Sequence, residues 1–151
     1  MVEEAATDVI ARQQAQGVAE PWTDPGFIDA IAELQRQRRL QAANLPGTAQ
    51  FHDRSAVCTA ALADYLGHPV SAGLRRELQR IETAAVFERR VFFIRHLGFV
   101  VPTAARRISF ADALRFEQVH EATYRRYGYQ LVPIAPGPLA NRVAAIKAAL
   151  D

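Results

Sequence analysis

The sequence predicts an α/β fold, a three-layer α/β/α arrangement with a small parallel sheet between helices. Three observations carry this. Val91-Phe92-Phe93-Ile94 is an unbroken apolar run of strand length, the pattern of a strand buried on both faces. Residues 129–134 form a second strand-like run, and helical periodicity marks the segments before, between and after the two. Strands that alternate with helices pair in parallel, because a crossover helix returns the chain to the same end of the sheet. At 151 residues the chain is expected to be one domain, long enough to bury a real core.

The elements follow in order. Residues 3–16 predict a first helix stopped by Gly17. Pro21 and Pro25, which fix φ and remove two N–H donors, make residues 20–26 a turn. Phe27, Ile31 and Leu34 then recur at i, i+4 and i+7, so a second amphipathic helix runs to about Ala43 and is closed off by Pro46-Gly47. Residues 48–52 are a short candidate strand. Ser55 suits an N-cap for a helix presenting Cys58, Leu62, Tyr65 and Leu66 on one face, ended by Gly67-His68-Pro69. Ser71 caps another through Leu74, Leu78 and Ile81.

Beyond the apolar strand, Ser109 and Asp112 have capping-box spacing, with Asp in place of the preferred Glu. That helix aligns Ala113, Phe116, His120, Thr123 and Tyr127 and ends at Gly128, a natural C′ residue. Pro136-Gly137-Pro138 is a turn, and Leu139, Val143, Ile146 and Leu150 form the expected inner face of a last helix.

A net charge of +2 is too small to argue for nucleic acid or a membrane surface as partner. Lys147 is the only lysine among 18 basic residues, a bias that reads as composition rather than phosphate recognition. The single Cys58 excludes an internal disulfide and fits a reducing compartment. Residues 2–15 carry Glu3, Glu4 and Asp8 without an apolar signal core, and no stretch approaches the ~20 apolar residues of a membrane span. A cytoplasmic protein is expected.

The chemistry-bearing stretch is Phe51-His52-Asp53-Arg54-Ser55, where a candidate strand meets a helix. In open α/β sheets, ligands bind beyond the carboxyl ends of the strands. There, Asp53 can hold Mg²⁺ directly or through water, and Arg54 can take a phosphate oxygen. The alternative is that Asp53 and Ser55 cap the helix and Arg54 is solvated. Arg106-Arg107 suits a lid over a phosphoryl group, or a solvated loop. Glu4 is a candidate general base, or an acidic residue favoured at a helix N-terminus.

Trp22 reads as a pocket wall or a packing anchor. Glu117-x-x-His120 has the i, i+3 spacing of some di-iron bundles, but only one copy occurs. With His52, His68 and His96 out of ligand spacing, no metal site made only of protein ligands is expected. No GxxxxGK[ST] is present, so the backbone cradle and lysine that grip a terminal phosphate are missing.

Several motifs together resemble the AAA-annotated predicted P-loop ATPases, whose fold is similar to small nucleotide kinases. Glu4-Ala5-Ala6-Thr7-Asp8-Val9-Ile10 resembles that family's E-A-A-R-x-V-I helix, with Thr7 where arginine is expected. Pro21 to Pro25 matches its Pro-Trp-x-Asp-Pro turn. Phe51, Asp53, Arg54 and Ser55 follow its F-D-R-S strand end, with His52 inserted, and Tyr65 and Gly67 its Tyr-x-Gly. The strongest similarity spans residues 90–129. The resemblance covers nearly the whole chain, which is expected to begin after the family's first strand and Walker A phosphate loop.

The resemblance implies ATP and Mg²⁺ as cofactors, with Asp53 on the magnesium side, Arg54 on phosphate or substrate, and Arg106 and Arg107 in the lid. Two functions are open. One is an ATPase-like or small-molecule-kinase-like domain, nearly inactive as written, acting on a nucleotide and an unknown small molecule. The other is a non-catalytic α/β interaction module that associates through sheet edges, for instance as a homodimer.

Overall fold

The computed structural model describes residues 1–47, 49–99 and 108–150. The chain forms two compact units, Met1–Phe87 and Glu88–Asp151.

The first unit is helical. It contains α1 (Ala6–Ala15), a single 3-10 turn at Pro21–Thr23, α2 (Gly26–Ala42), α3 (Ala56–Leu66) and α4 (Ala72–Thr83). Helix α2 is the centre, packing against α1, α3 and α4. Its stripe of Phe27, Ile28, Ile31 and Ala32 is buried, as the i, i+4 spacing requires. The Ser55 hydroxyl caps α3 by accepting the Val57 N–H at 3.3 Å, and the Ser71 hydroxyl caps α4 by accepting the Leu74 N–H at 3.0 Å. Gly67 ends α3 at φ +73°, a left-handed conformation that glycine adopts without penalty.

One expectation for α3 changes. Of Cys58, Leu62, Tyr65 and Leu66, only Cys58 is buried; Ala56, Val57, Thr59, Ala60, Ala61 and Ala63 are buried with it. These mostly small side chains let neighbouring helices approach closely, so burial wraps the first two turns instead of following one stripe. Helix α4 keeps its expected apolar face of Leu74, Leu78 and Ile81.

The candidate strand at residues 48–52 reduces, among the described residues, to one parallel bridge between His52 and Val2. The Val2 N–H donates to the Phe51 carbonyl at 2.7 Å, and the Asp53 N–H donates to the Val2 carbonyl at 2.8 Å. A ladder needs a partner backbone at each rung, and Val2 alone supplies one here.

The second unit carries the sheet. Strands β1 (Arg90–Ile94) and β2 (Gln130–Ile134) pair in parallel, in register from Arg90 opposite Gln130 to Ile94 opposite Ile134. The crossover includes α5 (Phe110–Arg126). It opens at Ser109, whose hydroxyl accepts the Asp112 N–H at 3.1 Å and donates to the Asp112 carboxylate at 2.7 Å. Both α5 and α6 (Leu139–Ala148) pack on β2. Arg95 joins the end of β1 to α5 through Glu117, at 2.7 Å, and Glu121. The α/β class with a small parallel sheet is what the sequence predicts.

Two burial expectations in this unit are corrected. Strand β1 is not buried on both faces: Val91, Phe92 and Phe93 are half-buried and Ile94 is 45% exposed. The face of α6 expected to point inward is mostly open: Leu139, Val143 and Leu150 are exposed, Ile146 is half-buried and no residue of the helix is buried. Apolar periodicity specifies which side chains share a face, not what covers it.

Leu74 is fully buried. Leu74→Ala is therefore expected to lower unfolding free energy by about 2–5 kcal/mol, measured by urea denaturation of the whole chain. A loss under about 1 kcal/mol contradicts its place in the core.

Candidate functional site

The Val2–His52 rung gives the first unit a defined polarity. Because the pairing is parallel, both segments leave the rung at the same, carboxyl end. One continues into Glu3, Glu4 and α1; the other continues through Asp53, Arg54 and Ser55 into α3. Glu4 and the adjacent pair Asp53-Arg54, 49 and 50 positions further along the sequence, thus follow directly from one end of one backbone pairing. The N-termini of α1 and α3 lie on these continuations, and each helix start carries partial positive charge.

Each side chain has a definite setting. The Glu4 carboxylate accepts the Thr7 N–H at 3.2 Å and so satisfies an open donor of the first turn of α1. Asp53 is exposed, and the rung uses its backbone N–H. Arg54 is exposed and holds φ +69°. That left-handed region costs an L side chain roughly 1–2 kcal/mol, and such strain concentrates at functional turns. Arg106 and Arg107 lie outside the described residues.

Beside this turn is a cavity of about 20 Å³ lined by His52, Arg54, Ser55, Arg39, Glu77 and Phe87, among others. His52 meets the Phe87 ring edge-on, with centroids 5.1 Å apart, and pairs through Nε2 with the Gln50 side-chain oxygen at 2.9 Å. Burial holds the His52 pKa below the usual imidazole value, reinforced by Arg39 and by the chain's N-terminal ammonium.

Arg38 and Arg39, which sequence reasoning passed over, organise this end of the unit. Arg38 donates to the Glu3 carbonyl at 3.3 Å, to the Glu4 carbonyl and to the Asp8 carboxylate, pinning the start of α1 to α2. Arg39 is almost enclosed, its side chain 12% exposed. Their signal was in the spacing: Arg39 falls four residues after Gln35 and eight after Ile31, in phase with the buried stripe of α2.

Among the described residues, no three His, Cys, Asp or Glu side chains cluster as a metal site. No helix among them is long and apolar enough to cross a membrane. A family model described as "AAA domain" matches residues 1–142. No curated protein and no solved structure matches the chain.

Two outcomes follow. Arg54→Gly relieves the left-handed strain but adds freedom to the unfolded chain, so stability in urea should be unchanged or rise by up to about 1 kcal/mol. A clear loss would mean that Arg54's contacts outweigh its strain. For His52, the folded pKa is lowered, so the unfolded chain takes up its proton first as pH falls. The stability contributed by neutral His52 is present above about pH 6.5 and declines as pH drops toward the depressed folded value. The melting temperature should fall over that window, less steeply in His52→Gln.

Proposed function

The chain belongs to the AAA-domain family, a P-loop NTPase-like family of nucleotide-binding domains, and from that premise we propose a single ATPase-like or small-molecule-kinase-like domain over residues 1–151. Asp53 is the magnesium-side carboxylate and Arg54 the phosphate-side cation. Arg106 and Arg107 act as a lid, and Glu4 is the base for a substrate hydroxyl. The carrying observation is that Glu4 and Asp53-Arg54 both follow from the carboxyl end of one parallel rung, the end at which α/β sheets bind ligands.

The residues present suit part of the family's cofactor. Mg²⁺ commonly takes one or two carboxylates, with water and substrate phosphates completing its octahedron, and exposed Asp53 can supply one. When bound, the ion neutralises charge on phosphate oxygens and orients them. Arg54 would take a phosphate oxygen through its guanidinium. The nucleotide itself is less well provided for. The cavity beside Arg54, about 20 Å³, admits a group the size of one water.

Phosphoryl transfer depends on positioning and charge stabilisation. Without a GxxxxGK[ST] segment, the chain by itself is expected to be nearly inactive.

A second reading, a non-catalytic module that associates through sheet edges, draws support from the β1–β2 pair. A two-stranded sheet leaves one edge of each strand without a partner strand among the described residues, and Ile94 at the end of β1 is 45% exposed. Exposed edges template strand addition.

Calorimetric titration with Mg-ATP separates the two. No heat and no ATP turnover are expected from the folded chain alone. Micromolar binding weakened by Asp53→Asn and by the double substitution Arg106→Ala, Arg107→Ala overturns the inactivity and favours the catalytic reading. A concentration-dependent dimer in sedimentation, with no nucleotide binding, favours the module.

A further inference from the structure

We propose that the cavity beside the Asp53-Arg54 turn is a small oxyanion site, anchored by the buried guanidinium of Arg39 and taking a phosphoryl or carboxylate group. It needs neither Asp53 nor magnesium, though it shares Arg54 with the proposed phosphate-side role.

The first observation is an imbalance of partners. Glu77, itself buried, is engaged by Arg80, whose Nε donates to one carboxylate oxygen at 3.0 Å and whose Nη2 donates to the other. The carboxylate's strongest acceptor directions are thereby taken in a two-point contact. Arg39 reaches the same carboxylate only at 3.7 Å from Nε, beyond hydrogen-bond length. Its Nε and Nη2 are both buried with no hydrogen-bond partner. Buried donors of a charged group without acceptors are costly, and a native structure retains them where something else accepts the bonds.

The second observation is where those donors sit. Arg39 lines the cavity together with Arg54, His52 and Ser55, and with the carboxylate residues Glu3 and Glu77. Ser55 is the N-cap of α3, so the partial positive charge of that helix start adds to two guanidinium groups. Arg80 holds both Glu77 oxygens, which leaves Arg39 only the longer 3.7 Å ion pair to that carboxylate. Its own acidity agrees: burial lowers the Arg39 pKa, and Arg80 lowers it further. Glu77 opposes both, and of the three only the repulsion from Arg80 is a field that an anion would relieve.

Size restricts the ligand. About 20 Å³ accommodates one water-sized group. The anion therefore enters with a leading oxygen, and the remainder of the molecule stays at the mouth near exposed Arg54.

Titrating the whole chain with inorganic phosphate, with acetate and with chloride at matched ionic strength tests this, without magnesium or nucleotide. The Arg39 Nε–H resonance, identified by its disappearance in Arg39→Gln, is expected to shift on adding phosphate or acetate but not chloride. Thermal stability should rise in step. A response to phosphate assigns a phosphoryl ligand, and a response confined to acetate assigns a carboxylate.

In Arg39→Gln the stabilising effect of the anion should fall at least tenfold, and in Arg39→Lys, which keeps the charge without the fork, by a smaller factor. An Arg39 resonance that moves no more with phosphate and acetate than with chloride overturns the proposal. So does an equal anion response in a folded Arg39→Gln. Arg39→Lys also lacks the Nε–H and gives the same assignment if Arg39→Gln fails to fold, and the shift itself is read on the unaltered protein.

Discussion

Two backbone hydrogen bonds between Val2 and the segment Phe51 to Asp53 are the constraint on which the candidate site depends. They bring residues from the start of the first unit alongside residues that follow α2, in the same direction. Everything chemically suggestive then follows from chain continuity. Glu4 continues one segment and Asp53-Arg54 the other, and each leads straight into a helix N-terminus. Such a rung is weak on its own. Its net worth is about 1 kcal/mol per hydrogen bond, and the surrounding packing must hold it.

That packing comes from α2. Its apolar stripe fills the centre of the first unit, while the next turns present Arg38 and Arg39. Arg38 grips two carbonyls and a carboxylate at the start of α1, so the same helix that makes the core also positions the rung. Arg39 has the opposite character. It is nearly enclosed yet incompletely bonded, a combination that packing alone does not favour. Neighbouring arginines one position apart thus differ in role because consecutive helix positions are about 100° apart around the axis.

In the second unit the corresponding lock is ionic. Arg95, just past β1, reaches Glu117 and Glu121 on α5 and stacks its guanidinium over Phe93 at 5.0 Å. Its pKa is raised by the hydrogen bonds to Glu121 and Glu117. The i, i+4 spacing of the two glutamates puts them on one helical face, and one cation between two carboxylates ties strand to helix. Pair energies at such partly exposed positions are modest, so the parallel register owes more to backbone pairing and to packing of α5 on β2.

Local rules made much of this legible. Ser55, Ser71 and Ser109 cap helices because a short hydroxyl followed by a helical run satisfies open N–H groups nearby. The Phe27–Ile31 spacing located the α2 stripe, and alternation of strand and helix implied the parallel β1–β2 pair. Of the candidate site, the sequence shows only residue types: Asp53-Arg54 stands where a candidate strand meets a helix. Its neighbours were not, because Arg39 and Glu77 look like ordinary helix-surface charges until the phase of each helix is set against its partners.

The sequence by itself therefore determined the helices, their caps, the parallel pair and the family, all consequences of short-range periodicity and motif. Only the tertiary structure decided the rest: that the candidate strand before Asp53 makes a single rung with Val2, that α3 is buried around its alanines, and that the apolar face of α6 stays mostly open. It also decided that Arg39 lies nearly enclosed beside the Arg54 turn, its Nε and Nη2 buried without a hydrogen-bond partner. The physical reason is the same in each case. Periodicity specifies which side chains share a face, whereas burial and hydrogen-bond satisfaction depend on which distant backbone or side chain lies opposite.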